Sequence, residues 1–177
     1  GVGRELRGGQ LLVFDYHYLN THDEPIDARS VVSIHLTNKS DVANVVRDFG
    51  FYNYTIATMP MSQGSFTGEC HFKQDVVLAS LSRHTRHWGT DFKVWFAGGE
   101  HDGQPIWSSH DWQHEVDFAF DLPVRFSAGE GLRFRCKYDN DTTRALRFGT
   151  SATDEMCILF GRAWATEAGR EVANQDC

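Results

Sequence analysis

The chain has 177 residues, 41% of them hydrophobic and 13% aromatic. That suits one packed domain with room for an appendage, and it excludes wholesale disorder. The formal net charge is −7, from 17 basic and 24 acidic residues, which argues against nucleic acid as the main partner because phosphate binding needs a basic face. No apolar run approaches the roughly 20 residues of a membrane-spanning helix. The opening GVGRELRGG shows no signal-peptide pattern and reads as the start of a mature chain, from which any targeting segment would already be removed.

Strand signals dominate in chain order. QLLVFDYHYLN (residues 10–20) places Val13, Asp15 and His17 on one face, and RSVVSIHLTN (29–38) alternates in the same way. SDVANVVRDF (40–49) is the one helix-like piece, and it is short. DVVLASLSRHT (75–85), DFKVWFAGG (91–99), VDFAFDLPVRF (116–126), GLRFRCKYDND (131–141) and EMCILFGRAW (155–164) follow as strands. Turn clusters separate them: THDEP, AGGEHDGQP, SAGEG, YDNDTT and GTSATD. Many short strands without long amphipathic helices predict an all-β fold, an antiparallel jelly-roll β-sandwich. Residues 1–30 read as an outlying strand or the remnant of an upstream domain, and 31–177 as the sandwich.

Three clusters carry chemistry. The densest is SRHTRHWGTDF (82–92), with His84, Arg86 and His87. In a strand the residues sharing a face are i and i+2, so His84 pairs with Arg86, which cannot bind a cation. The bland reading is a polar strand end. The second is FGTSATDEMCILF (148–160), where Met156 follows two acids. A buried methionine is ordinarily core filler, but beside imidazoles a thioether is a soft ligand that selects Cu(I). The third is HDWQHEVDF (110–118), in which Trp112 reads as a core anchor and His110 and His114 as decoration of a strand entrance.

The four cysteines, Cys70, Cys136, Cys157 and Cys177, form no C-x-x-C pair. That speaks against a thiolate zinc site. It leaves two disulfides in an oxidising compartment or four free thiols in the cytosol. Three N-x-[ST] sequons, at Asn38, Asn53 and Asn140, agree with secretion.

Taken in order, these pieces resemble the copper type II, ascorbate-dependent monooxygenases, the family of peptidylglycine alpha-hydroxylating monooxygenase, dopamine beta-monooxygenase and bacterial relatives. HTRHWG (84–89) is similar to the family's H-x-H-x-x-G motif, SATDEMCILF (151–160) to its methionine segment, and the QLLVFDYHYLN strand to the one carrying a histidine of the electron-supplying copper. The resemblance covers about residues 10–177. It implies an oxygen-activating copper at His84, Met156 and His87, with His84 and Met156 catalytic and His17 part of a second copper site. It implies O₂ and a reductant such as ascorbate, a small-molecule or peptide substrate, an upstream or separate electron-supplying copper domain, and a secreted, periplasmic or otherwise extracytoplasmic location. It also implies disulfides pairing Cys136 with Cys157 and Cys70 with Cys177, which a loop-entropy model credits with about 3 and about 5 kcal/mol.

One departure stands at the centre. Counted back from Gly89, the family's second histidine is Arg86 here. Two unit positive charges about 4 Å apart repel by about 4 kcal/mol at an effective dielectric of 20. A β-bulge at Thr85 or Arg86 would bring His87 round to the face of His84. Without one, the alternative is a non-catalytic binding or structural module whose copper site has lapsed, with Arg86 filling it and pairing with Asp154 or Glu155.

Overall fold

The computed structural model describes residues 1–14, 16, 18, 20, 22–114, 117–167 and 172. The chain divides into two compact units, Gly1–Val45 and Val46–Cys177. In the first, β1 (Val2–Gly3) pairs in parallel with β2 (Asn44–Val45), and a 3₁₀ turn spans Lys39–Asp41. The two β-rich stretches expected there, 10–20 and 29–38, form no ladder among the described residues. The rings of Phe14, Tyr16 and Tyr18 still stack in sequence, 6.2 and 6.3 Å apart. Leu11 and Val13 are 86% and 88% exposed. The alternation of a strand is present, but a ladder needs a neighbouring strand to receive its hydrogen bonds. The helix-like 40–49 resolves into the end of the 3₁₀ turn and the start of strands, since three valines in five residues suit a pleated surface better than a helix.

The second unit is an antiparallel β-sandwich. One four-stranded sheet runs in the order β5 (Ser62–His71), β10 (Gly131–Asn140), β7 (Gly89–Ala97), β8 (Pro105–Ser109). The other runs β3 (Arg47–Tyr52), β12 (Ile158–Ala165), β6 (Val76–His84), β9 (Phe118–Phe126). A small pair joins β4 (Ala57–Thr58) to β11 (Leu146–Arg147). β10 shows why the sequence folds this way. Leu132, Phe134, Cys136, Tyr138 and Asn140 are buried, and the residues between them are all less buried. The first four of these, with Phe49, Phe51, Leu78, Leu81, Phe92, Val94 and Leu159, form one core shared by both sheets.

The expected Cys136–Cys157 disulfide is present, with a Cα–Cα distance of 5.9 Å. It ties β10 of one sheet to the residue just before β12 of the other. The second expected pair includes Cys177, which lies outside the described residues.

Two of the three sequons have a local structural role. Asn53 Oδ1 accepts hydrogen bonds from the Thr55 amide at 2.9 Å and its hydroxyl at 2.6 Å. Asn140 Oδ1 accepts the same pair from Thr142 at 3.1 and 2.7 Å, while its Nδ2 donates to the Met59 and Arg144 carbonyls, both at 2.8 Å. Both asparagines are buried. The N-x-T spacing is that of an Asx turn, in which an asparagine side chain bonds the backbone two residues on. Asn38 is exposed.

Candidate metal centre

The H-T-R-H-W-G stretch does not lie on one strand. β6 ends at His84, residues 85–88 turn, and β7 of the opposite sheet begins at Gly89. Gly89 closes the turn by donating its amide to the Arg86 carbonyl at 2.9 Å. A Cβ there would sit 2.5 Å from Thr85 Oγ1, so the position admits only glycine without a shift. The register irregularity of β6 falls at Ala79, opposite Arg162/Ala163, rather than at Thr85 or Arg86. The chain leaves the sheet after His84 instead of bulging within it.

His84 is half-buried and lies opposite Ile158 of β12. Met156, also half-buried, stands two residues ahead of Ile158. The sheet therefore brings the His84 strand end and the Met156 segment side by side. Both neighbours of Met156 are anchored. Cys157 is disulfide-bonded to β10. Glu155 is fully buried, and its carboxylate accepts from three main-chain amides: Arg86 at 2.8 Å and Met156 at 3.2 Å on Oε2, and Trp88 at 2.8 Å on Oε1. The amides of Arg86 and Met156 thus converge on one oxygen. Burial raises the Glu155 pKa above the usual carboxylate range, against the opposing pull of these amides and the Arg86 charge. The Met156 carbonyl in turn accepts from the buried Tyr138 hydroxyl at 2.8 Å; burial, with the Glu155 charge second, pushes that phenol's pKa upward.

Arg86 does not pair with the Asp154 or Glu155 carboxylate through its side chain. Its guanidinium donates to main-chain carbonyls: Nη1 to Ser151 and, at 3.5 Å, to Asp154, and Nη2 to Thr150 at 3.2 Å. Arg144 donates to the Thr153 carbonyl and lies over the Trp88 ring, 5.5 Å from its centroid. The loop leading to Met156 is held by two guanidinium groups.

His87 is exposed, its ring edge-on to Trp88 and Trp112 at 5.2 and 5.1 Å. Trp112 is half-buried and packs on His87. His114 Nδ1 meets Asp111 at 2.7 Å and His110 Nδ1 meets Asp91 at 3.3 Å, both histidines being well exposed. His17 lies outside the described residues. Among the described residues, no three His, Cys, Asp or Glu side chains gather as a metal site.

Sequence reasoning missed the three-amide grip of Glu155, the Tyr138 hydroxyl and the role of Arg144. The signal for the first was the acid immediately before Met156. A carboxylate next to a buried strand must find donors or neutralise.

The chemistry of the donors fits copper. An imidazole and a thioether, as His84 and Met156 would offer, suit Cu(I) and suit Mg²⁺ or Ca²⁺ poorly. No curated protein gives a significant match to the chain. The family model of the copper type II ascorbate-dependent monooxygenase C-terminal domain matches residues 44–176, a span that starts at β2 and takes in every strand of the sandwich. The chain belongs to the copper type II ascorbate-dependent monooxygenase family, of which it carries the C-terminal domain.

Proposed function

We propose that this domain binds copper through His84 and Met156, with His87, carried on the 85–88 turn rather than by a bulge, as third donor, and serves the hydroxylation of a C–H bond in an organic substrate. Bound copper would supply oxygen activation, with electrons from ascorbate or another reductant. The chain's own residues do the rest. Glu155 and Cys157 fix the segment on either side of Met156, and the β6–β12 pairing fixes His84 beside it. Tyr138 holds the Met156 carbonyl from the core side. The observation that carries this reading is the anchoring of both neighbours of Met156, two residues from the cross-strand partner of His84. A core-filling methionine needs no such support.

The wider setting follows the family. A jelly-roll topology, an extracytoplasmic location and a partner electron-supplying copper domain, with His17 among its ligands, belong to the same proposal. The disulfide supports the location.

A specific observation favours a second reading. Arg86 occupies the expected position of a ligand and is bonded to the Thr150–Asp154 loop. The domain would then be a non-catalytic module with a lapsed copper site.

Titration with Cu(I) against a chromophoric chelator separates the two. The first reading predicts one-to-one binding that His84→Ala and Met156→Ala abolish and His87→Ala weakens. No binding by the wild-type chain, with binding created by Arg86→His, would establish the second.

A further inference from the structure

Arg86 invites a reading as a mere intrusion of charge, but its contacts say otherwise. One guanidinium meets the carbonyls of Thr150, Ser151 and Asp154. The same residue's amide meets the Glu155 carboxylate, on the oxygen that also takes the Met156 amide. Arg144 secures the Thr153 carbonyl, and Asp154 Oδ2 accepts the Ser151 amide at 3.0 Å. A loop's carbonyls ordinarily go to water or to neighbouring strands. Here four of the five from 150 to 154 are bonded to arginine side chains. The planar fork of arginine loses little freedom for each bond it makes, so one side chain can brace several acceptors. A histidine at 86 has two ring nitrogens and a shorter reach.

We propose that Arg86 is a positioning residue for Met156: it has given up the ligand role and instead braces the loop that delivers the thioether beside His84. The bracing claim stands on the hydrogen bonds alone; its consequence for metal affinity rests on the copper reading above. The consequence is specific. If Arg86 acted only through its charge, removing it would strengthen Cu(I) binding. As a brace, its removal weakens binding, because Met156 is no longer held in place.

The test uses the full chain as wild type, Arg86→Ala and Arg86→Lys, with Cu(I) alone as probe. Amide hydrogen exchange is followed at Ser151, Asp154, Glu155 and Met156, with β10 amides as the control for global folding. The Met156 methyl resonance reports the thioether. In Arg86→Ala we expect protection of the four loop amides to fall by at least about tenfold with β10 unchanged, the Met156 methyl signal to shift or broaden, and Cu(I) affinity to drop by about tenfold. Arg86→Lys, which keeps the charge and part of the donor set, should recover part of each. Should Arg86→Ala unfold, Arg86→Gln carries the same expectations. Unchanged loop exchange and methyl signal overturn the proposal, as does tighter Cu(I) binding in Arg86→Ala. If the wild-type chain binds no Cu(I), the copper reading falls while exchange and methyl signals still decide the brace.

Discussion

Two histidine-rich stretches of this chain have opposite fates. In SRHTRHWG, the strand end at His84 is paired with β12 and lies beside a methionine segment anchored on both sides. In HDWQHEVD, His110 and His114 are exposed and sit against Asp91 and Asp111. Both stretches place two histidines within five residues. What separates them is what the backbone around them is tied to. A ligand must be held in place before the metal arrives, and only the first stretch contributes residues to strands, ending β6 at His84 and opening β7 at Gly89, whereas 110–117 lies between β8 and β9 and belongs to neither. His87 marks the border between the two: it belongs to the first stretch by sequence, yet its ring packs on Trp112 of the second.

That contrast can be broken by substitution. The largest effect should come from removing the disulfide. Cys136→Ser with Cys157→Ser should cost about 3 kcal/mol, read by urea unfolding of the oxidised parent against the variant. Next comes Glu155→Ala, which strips the acceptor from three main-chain amides. It should cost about 2–3 kcal/mol in the same measurement. Tyr138→Phe leaves the Met156 carbonyl without its hydroxyl donor and should cost about 1 kcal/mol. His114→Ala in the other stretch should stay within about 0.5 kcal/mol and leave Cu(I) affinity unchanged, since the pair with Asp111 is exposed.

The pH dependence sharpens the same point. Burial raises the Glu155 pKa in the folded chain above its unfolded value. The folded state therefore holds this proton more tightly than the unfolded one. The associated stability is fully present below the unfolded value, near 4.5, and is lost as pH rises through the higher folded value. The stability advantage of the wild-type chain over Glu155→Gln should accordingly narrow as pH rises from about 4 towards neutrality. Denaturation of both proteins across that range checks it. A gap that widens with pH would mean that the three amides outweigh burial.

Much of the sandwich was legible in the sequence because its strands alternate. β10 announces itself by Leu132, Phe134, Cys136 and Tyr138 at every second position. Alternation reports a face but not a partner, which is why 10–20 and 29–38 looked like strands and form no ladder among the described residues. At the site, the juxtaposition of the His84 and Met156 segments was legible through the family motifs. The strand read at 75–85 comes within one residue of the end of β6, but the turn at 85–88 that carries Arg86 and His87 was not legible, because it holds no glycine or proline until Gly89 closes it. The carbonyl contacts of Arg86 were equally hidden. Sequence pairs a cation with nearby acids, here Asp154 and Glu155, but the loop turns its main-chain oxygens towards the guanidinium. Glu155 meanwhile faces amides across the sandwich, 67 to 69 positions away along the chain.

The most direct test is an anomalous-scattering map from a crystal of the chain soaked with copper under reducing conditions. The expected result is one strong copper peak bounded by the His84 imidazole and the Met156 sulfur, with the Arg86 guanidinium still on the Thr150–Asp154 carbonyls. A map with no peak there, or with copper only at His110 and His114, would contradict it.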